Sequence, residues 1–345
     1  MPTIEIPIWP YAYGQPVSTG NLRTLPEDFI VTEQLAFEPS GDGEHVFLYI
    51  EKIGENTEYI ARLLARHAQV RQRDIGYAGL KDRHAITRQW FSVWLPGKTG
   101  DGPDWTLLNG DQLHVLHTVR HAQKLKRGVL AGNQFQITLR NWQGDTDTLI
   151  RQLEQIKTHG VPNYYGGQRF GHNGQNVNKA LAMFDGAKTG REQRSLYLSA
   201  ARSFLFNQLL AQRVQNQTWN QAVDGDAYIF DRSNSCFKST QADDGIIRRL
   251  SRGDIHPSGM LWGKGDADVS STALQLEHNI IAAYPALAEG LLAVGVDRNR
   301  RALRANVFDL QWAFITDDVL VVSFSLPAGS YATAALREFV DYGEK

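Results

Sequence analysis

Gly76-Tyr77-Ala78-Gly79-Leu80-Lys81-Asp82-Arg83-His84-Ala85-Ile86-Thr87-Arg88-Gln89 is the stretch around which the chain is organised. Gly76, Ala78 and Gly79 let the backbone turn, or approach a neighbour, where a larger side chain would clash. Lys81, Asp82, Arg83 and His84 then follow without a break, and an alternating apolar segment from Gln89 to Leu95 takes over. A carboxylate set among cations is favoured in its charged form. Presented by a Gly-rich turn at the end of a strand, such an Asp serves as nucleophile or base. A solvated turn of mixed charge has the same composition, so the rest of the chain has to decide.

Immediately upstream, Asn56 or Thr57 is placed to cap a helix that carries Ile60, Leu63, Leu64 and His67 on one face. Downstream, Thr87 to Leu95 reads as a strand with apolar residues on both faces, as in the middle of a sheet. Asp82 is therefore expected in a loop between a helix and a central strand. Pro26 to Glu33 and His45 to Glu51 read as further strands. Leu113 to His117 reads as another, running into Arg120, Lys124, Lys126 and Arg127, a basic stretch that suits a phosphate backbone or a solvated turn. His114 and His117, three apart on a strand, are expected on opposite faces, which argues against a metal site. Along Gly132 to Leu139, Asn133, Phe135, Ile137 and Leu139 share one face. An amide and an aromatic two residues apart can hydrogen-bond and stack one flat base.

A helix is expected from Thr146 to Lys157, followed by Val161-Pro162-Asn163-Tyr164-Tyr165-Gly166-Gly167-Gln168-Arg169-Phe170-Gly171, a contact loop or a packed turn. Next come a long helix around Ser195 to Val214, polar Asp- and Gly-containing loops, and a helix near Ser270 to Tyr284. Two Arg clusters, Arg248, Arg249 and Arg252, then Arg298, Arg300, Arg301 and Arg304, suit RNA phosphates or internal carboxylates. Alternation over Phe308 to Phe314 and Val319 to Leu326 returns the chain to sheet, and Ser330 is placed to cap a last helix.

The bulk numbers set limits. With 345 residues, 42% hydrophobic and 21% charged, the chain can bury one large core or two ordinary ones. A net charge of -1 leaves any nucleic-acid surface to local clustering of the 36 Lys and Arg. The single Cys236 excludes an internal disulfide and a cysteine zinc site and fits a reducing cytoplasm. No membrane span or signal peptide is expected. Pro96-Gly97-Lys98-Thr99 ends like a phosphate-binding loop, but Ser92 stands where that loop needs glycine, so the segment reads as a turn.

Five motifs, from Arg23 to Tyr331, together resemble the tRNA pseudouridine synthase D (TruD) family. They are Pro26-Glu27-Asp28-Phe29-Ile30-Val31-Thr32-Glu33 with Arg23 before it, the Gly79 to Thr87 segment, Gly132-Asn133-Gln134-Phe135, the Pro162 to Gly171 signature, and Leu326-Pro327-Ala328-Gly329-Ser330-Tyr331. The resemblance implies an α+β fold: a pseudouridine-synthase-type mixed, mainly antiparallel sheet with flanking helices, plus an inserted α/β TRUD domain. It divides the chain into a catalytic domain (1–158 and 306–345) and the insertion (159–305). It implies Asp82 as the catalytic residue, supported by Arg23 and Lys81. Phe29, Asn133, Phe135 and Tyr331, the last standing where the family has Phe, are implied at the substrate. Arg83, Lys124, Lys126, Arg127 and Arg169 are candidates for the RNA backbone. The implied activity is isomerisation of uridine, at position 13, to pseudouridine in tRNA, with the base flipped out of the stack. It needs no cofactor or metal and no obligatory protein partner, in a cytoplasmic monomer. An RNA hydrolase using Asp82 with His84, or an RNA-binding module indifferent to Asp82, are the alternatives.

Overall fold

The computed structural model describes residues 3–97, 100–233 and 235–343. In chain order the strands and helices are β1 (Thr19–Asn21), β2 (Phe29–Gln34), β3 (His45–Ile53), α1 (Thr57–His67), β4 (Ile75–Tyr77), β5 (Ile86–Trp94), β6 (Leu113–His121) and β7 (Gly132–Gln143). They continue with α2 (Thr146–His159), β8 (Val161–Pro162), α3 (Gln175–Phe184), α4 (Arg191–Gln215), β9 (Ala227–Phe230), β10 (Cys236–Lys238), α5 (Asp244–Arg252) and β11 (Ile255–Leu261). The last are α6 (Ser271–Ala283), α7 (Pro285–Val294), β12 (Asn299–Ala302), β13 (Arg304–Ala305), β14 (Phe308–Thr316), β15 (Val319–Pro327) and α8 (Ala332–Leu336).

Two compact units result. The first gathers Ser18–Asp145, Phe308–Gly329 and Val340–Lys345; the second gathers Met1–Val17, Thr146–Val307 and Ser330–Phe339. The sequence-based edges at 158/159 and 305/306 thus differ from the unit edges at 145/146 and 307/308. The N-terminal segment joins the second unit because Trp9 is buried there, stacked on Tyr164 with ring centroids 5.8 Å apart.

The first unit is a nine-stranded sheet of order β14-β15-β7-β2-β5-β3-β6, with β1 on β7 and β4 on β5. Its pairs are antiparallel except β2 with β5. The mixed, mainly antiparallel sheet is as expected. β5 lies between β2 and β3, which accounts for its two apolar faces. Helix α1 buries Ile60, Ala61 and Leu64 against Leu48, Ile50, Phe91 and Val93. The three-residue β4, too short to show a period, intervenes between α1 and Asp82. Gly76 is required there: a Cβ would overlap the Leu125 carbonyl and the Ser92 hydroxyl. Gly76→Ala is expected to destabilise the unit by about 1–3 kcal/mol, read as a lower urea midpoint.

Two local readings are corrected. The register of β6 slips between Tyr49 and Ile50, so that His117 pairs with Tyr49 and His114 with Glu51. The extra residue of this bulge puts the two histidines on the same face rather than opposite ones. The last helix takes Tyr331, not Ser330, as its cap residue. Pro96 and Gly97 do turn, while Lys98 and Thr99 lie outside the described residues.

The second unit packs α2, α3, α4, α6 and α7 with a four-stranded antiparallel sheet, β10-β9-β11-β12, and the pair β8–β13. Its core centres on the 25-residue α4, which buries Ala200, Phe204, Leu205 and Phe206. No helix among the described residues is long and apolar enough to cross a membrane.

Candidate active site

Asp82 sits in the loop that joins β4 to β5. Its Oδ2 accepts a hydrogen bond from Arg23 Nη2 at 3.1 Å, and the two side chains remain 36% and 25% exposed. Arg23 holds a φ of 59°, left-handed and uncommon for a residue with a side chain. That turn lays its guanidinium over the Phe29 ring, 4.2 Å from the centroid. Phe29 meets Phe135 edge-on at 6.2 Å, and Phe135 meets Phe324 at 5.4 Å. Arg23 is thus held between the Asp82 carboxylate and an aromatic floor. Phe29 and Phe135 are only 1% and 6% exposed, so they support the site from beneath.

A buried polar layer fixes the loop. Thr57 Oγ1 accepts from Lys81 N at 3.0 Å and donates to Gln89 Oε1 at 3.0 Å. Gln89 Nε2 in turn donates to Gly79 O at 2.6 Å. Asn56 takes the N-cap position of α1, without a side-chain cap hydrogen bond among the described residues, while Thr57 opens the helix and its hydroxyl is engaged here. Lys52, fully buried, donates to Glu55 O at 2.7 Å and to Asp82 O at 3.2 Å. Lys81 turns away from the Asp82 carboxylate to pair with Glu33 at 3.1 Å, with both side chains buried. Burial pushes Glu33 up to about 6 against the pull of Lys81. Burial likewise pushes Lys52 down to about 8, against the carboxylates of Asp82 and Glu55. Asn133 lies opposite Glu33 across β2 and β7, and its Oδ1 is buried without a hydrogen-bond partner among the described residues. Gly132 before it is needed because a Cβ would overlap the Leu326 carbonyl on β15.

The sequence matches the model of the family "tRNA pseudouridine synthase D (TruD)" over residues 5–185 and 172–339. The chain belongs to the tRNA pseudouridine synthase D family. It is similar to curated proteins named tRNA pseudouridine synthase D from Methylococcus capsulatus, at 50% identity over 96% of this chain and 94% of that one. The protein of that name from Nitrosococcus oceani is 48% identical over 95% of this chain and 93% of that one. Among solved structures, the fold is similar to that of the chain assigned as tRNA pseudouridine synthase D in Methanosarcina mazei. There the TM-score is 0.73 at 22% identity, covering 95% of each chain.

The remaining candidate residues fall in two places. In the first unit, a basic loop is tied to the stretch that leads into Asp82. Gly128 N donates to Ala78 O at 2.8 Å, and Leu125 N donates to Ser92 Oγ at 3.0 Å. Arg127 from this loop donates to Tyr77 Oη at 3.3 Å, Lys124 is drawn to Arg73 O at 2.6 Å, and Lys126 is exposed. Arg83, exposed, donates to Gly54 O at 3.1 Å, and His84 is exposed beside it.

In the second unit, Arg169 donates to Ser199 Oγ at 2.9 Å and to Tyr331 Oη at 2.5 Å, and lies over the Tyr165 ring at 5.2 Å. The Tyr331 hydroxyl is therefore held by Arg169. Most of the Pro162 to Gly171 signature is packed turn. Tyr164, Tyr165 and Phe170 are buried, and Asn207 clamps Tyr165 through its N and O at 3.0 Å each.

Sequence reasoning passed over Lys52, and read Thr57 only as a candidate cap, Gln89 only as part of the central stretch and Glu33 only as part of a motif. Three of them carried a signal. Lys52 is in phase with the buried Leu48 and Ile50, Glu33 with Phe29 and Val31, and Gln89 with Phe91 and Val93. Each strand changes from apolar to polar on its buried face, and those three polar positions all serve the Asp82 loop.

Proposed function

We propose that this chain isomerises uridine to pseudouridine in tRNA, at position 13, with Asp82 as the catalytic carboxylate. By family it is a tRNA pseudouridine synthase D, hence an isomerase. The observation that carries the finer reading is the Arg23–Asp82 pair at 3.1 Å, partly open to solvent above a buried polar scaffold. A carboxylate held by a rigid loop and oriented by one guanidinium is preorganised for attack or proton removal.

The reaction breaks N1–C1′, turns the base, and forms C5–C1′; C5 loses a proton and N1 gains one. The C1′ bond lies inside the stack, so the nucleotide is flipped out, at a cost of about a few kcal/mol. The unpaired Asn133 Oδ1 supports this reading, because the N3–H of a flipped uracil is the donor it lacks. Phe29 and Phe135 hold Arg23 and the pocket floor, and a stacking role for Phe29 requires Arg23 to move off its face. Asp82 acts by adding to C1′ or by removing the C2′ proton. A deuterium isotope effect at C2′ separates the two routes.

The test uses unmodified tRNA labelled with tritium at uridine C5. The reading expects tritium release matched one-for-one by pseudouridine at a single position, with the chain intact. Free uracil or strand cleavage would instead favour a hydrolase. Binding without either product would favour a non-catalytic RNA-binding protein.

A further inference from the structure

The two arginine clusters of the second unit have different fates. Arg298 and Arg300 both donate to the buried Glu277, at 2.6 and 2.7 Å. Arg301 donates to Asn163 Oδ1 at 2.6 Å. Arg304, 5% exposed, donates to His256 Nδ1 at 2.9 Å and to the carbonyls of Leu250 and Ile255. This cluster is consumed by the fold.

The α5 cluster is not. Asp243 caps α5 by accepting from Ile246 N at 2.8 Å, and Ile246 and Leu250 turn inward. That phase leaves Arg248 and Arg252, one turn apart, on the solvent side. Between them Arg249 lies over Phe230 at 5.1 Å and Phe237 at 5.5 Å. Phe230 is 36% exposed, and Lys238 on β10 is exposed beside Phe237. Among the described residues no carboxylate forms an ion pair with Arg248, Arg249, Arg252 or Lys238.

We infer that the α5–β10 face is a second RNA-binding surface. Arg248 and Arg252 take backbone phosphates, and the Phe230–Arg249 stack receives an unpaired base. This rests on the reading of tRNA as substrate. Guanidinium groups left without internal carboxylates exchange solvent and counterions for phosphates, which gives affinity with a steep salt dependence. An exposed ring backed by a guanidinium offers a platform that any base can stack on. The chain's net charge of -1 conceals this because the cations are segregated.

The test measures binding of unmodified tRNA across a salt series, by anisotropy. It compares wild type, Arg248→Ala/Arg252→Ala, and Arg191→Ala/Arg194→Ala, a control with equal charge loss at the exposed start of α4. The patch variant is expected to bind roughly tenfold more weakly, with a salt slope lower by about 2 and a raised KM. Arg248→Lys/Arg252→Lys restores most of the affinity. The control stays near wild type. An unchanged affinity and slope in the patch variant, or an equal loss in the control, would overturn the surface. Should wild type bind tRNA without isomerising it, the activity reading fails while the patch is still scored on binding. Absence of tRNA binding by wild type removes both.

Discussion

Lys52→Met is expected to lower kcat about tenfold to hundredfold while leaving tRNA affinity near wild type. Lys52 touches neither Asp82's carboxylate nor any expected position of the base; it holds the Asp82 and Glu55 carbonyls from below at 3.2 and 2.7 Å. Met keeps the stem and removes the charge, so the loop loses an anchor and the carboxylate loses its fixed aim. Misplacement by about 1 Å costs roughly a hundredfold in rate. The fold should tolerate the change, because removing a buried ammonium relieves desolvation while leaving two carbonyls short of a donor, terms of opposite sign. A kcat loss without a matching fall in melting temperature separates positioning from general damage.

The pH dependence adds a second reading of the same residue. Burial holds Lys52 down to about 8, below its ordinary 10.5. Wild-type kcat should therefore fall as pH rises through about 8 and the ammonium anchor is lost, while Lys52→Met, already without it, should lack that limb. The stability linkage runs the other way. Between pH 8 and 10.5 the unfolded chain holds a proton that the folded chain has released, so this group's contribution rises with pH and is lost as pH falls through 8. A pH–rate profile and urea midpoints across that range measure both.

The large sheet was legible because its long strands carry either the period-two pattern of a half-buried strand, as in β7 and β14, or a run that is apolar on both faces, as in β5. The β9–β12 sheet was not. Its strands are short, and β11 carries Pro257 and Gly259, residues that argue against a strand interior. Helix α7 was missed because it is apolar on most sides and shows little periodicity. At the site, motif order pointed to Arg23 and Asp82, and the structure brings them into contact across 59 residues of chain. The Arg169–Tyr331 bond spans 162 residues and has no local sign at all. The Arg298 and Arg300 pairs with Glu277 are equally invisible, so sequence alone weighed both arginine clusters alike. Lys52, Glu33 and Gln89 lay between these cases. Polar residues in the apolar phase of three strands are a readable sign that something other than packing is being built.

Asp82→Asn on labelled tRNA tests the central claim most directly, with pseudouridine read at single-nucleotide resolution and binding measured on the same preparations. Asn preserves the size of the side chain and an oxygen able to accept from Arg23 Nη2, so the loop and the RNA surface should stay in place. It removes the carboxylate to which the proposal assigns attack or proton removal, and loss of such a group costs roughly 10⁴-fold or more in kcat. The account predicts tRNA bound as tightly as by wild type and almost no pseudouridine formed. Pseudouridine formed at close to the wild-type rate would contradict it and place the chemistry on another residue.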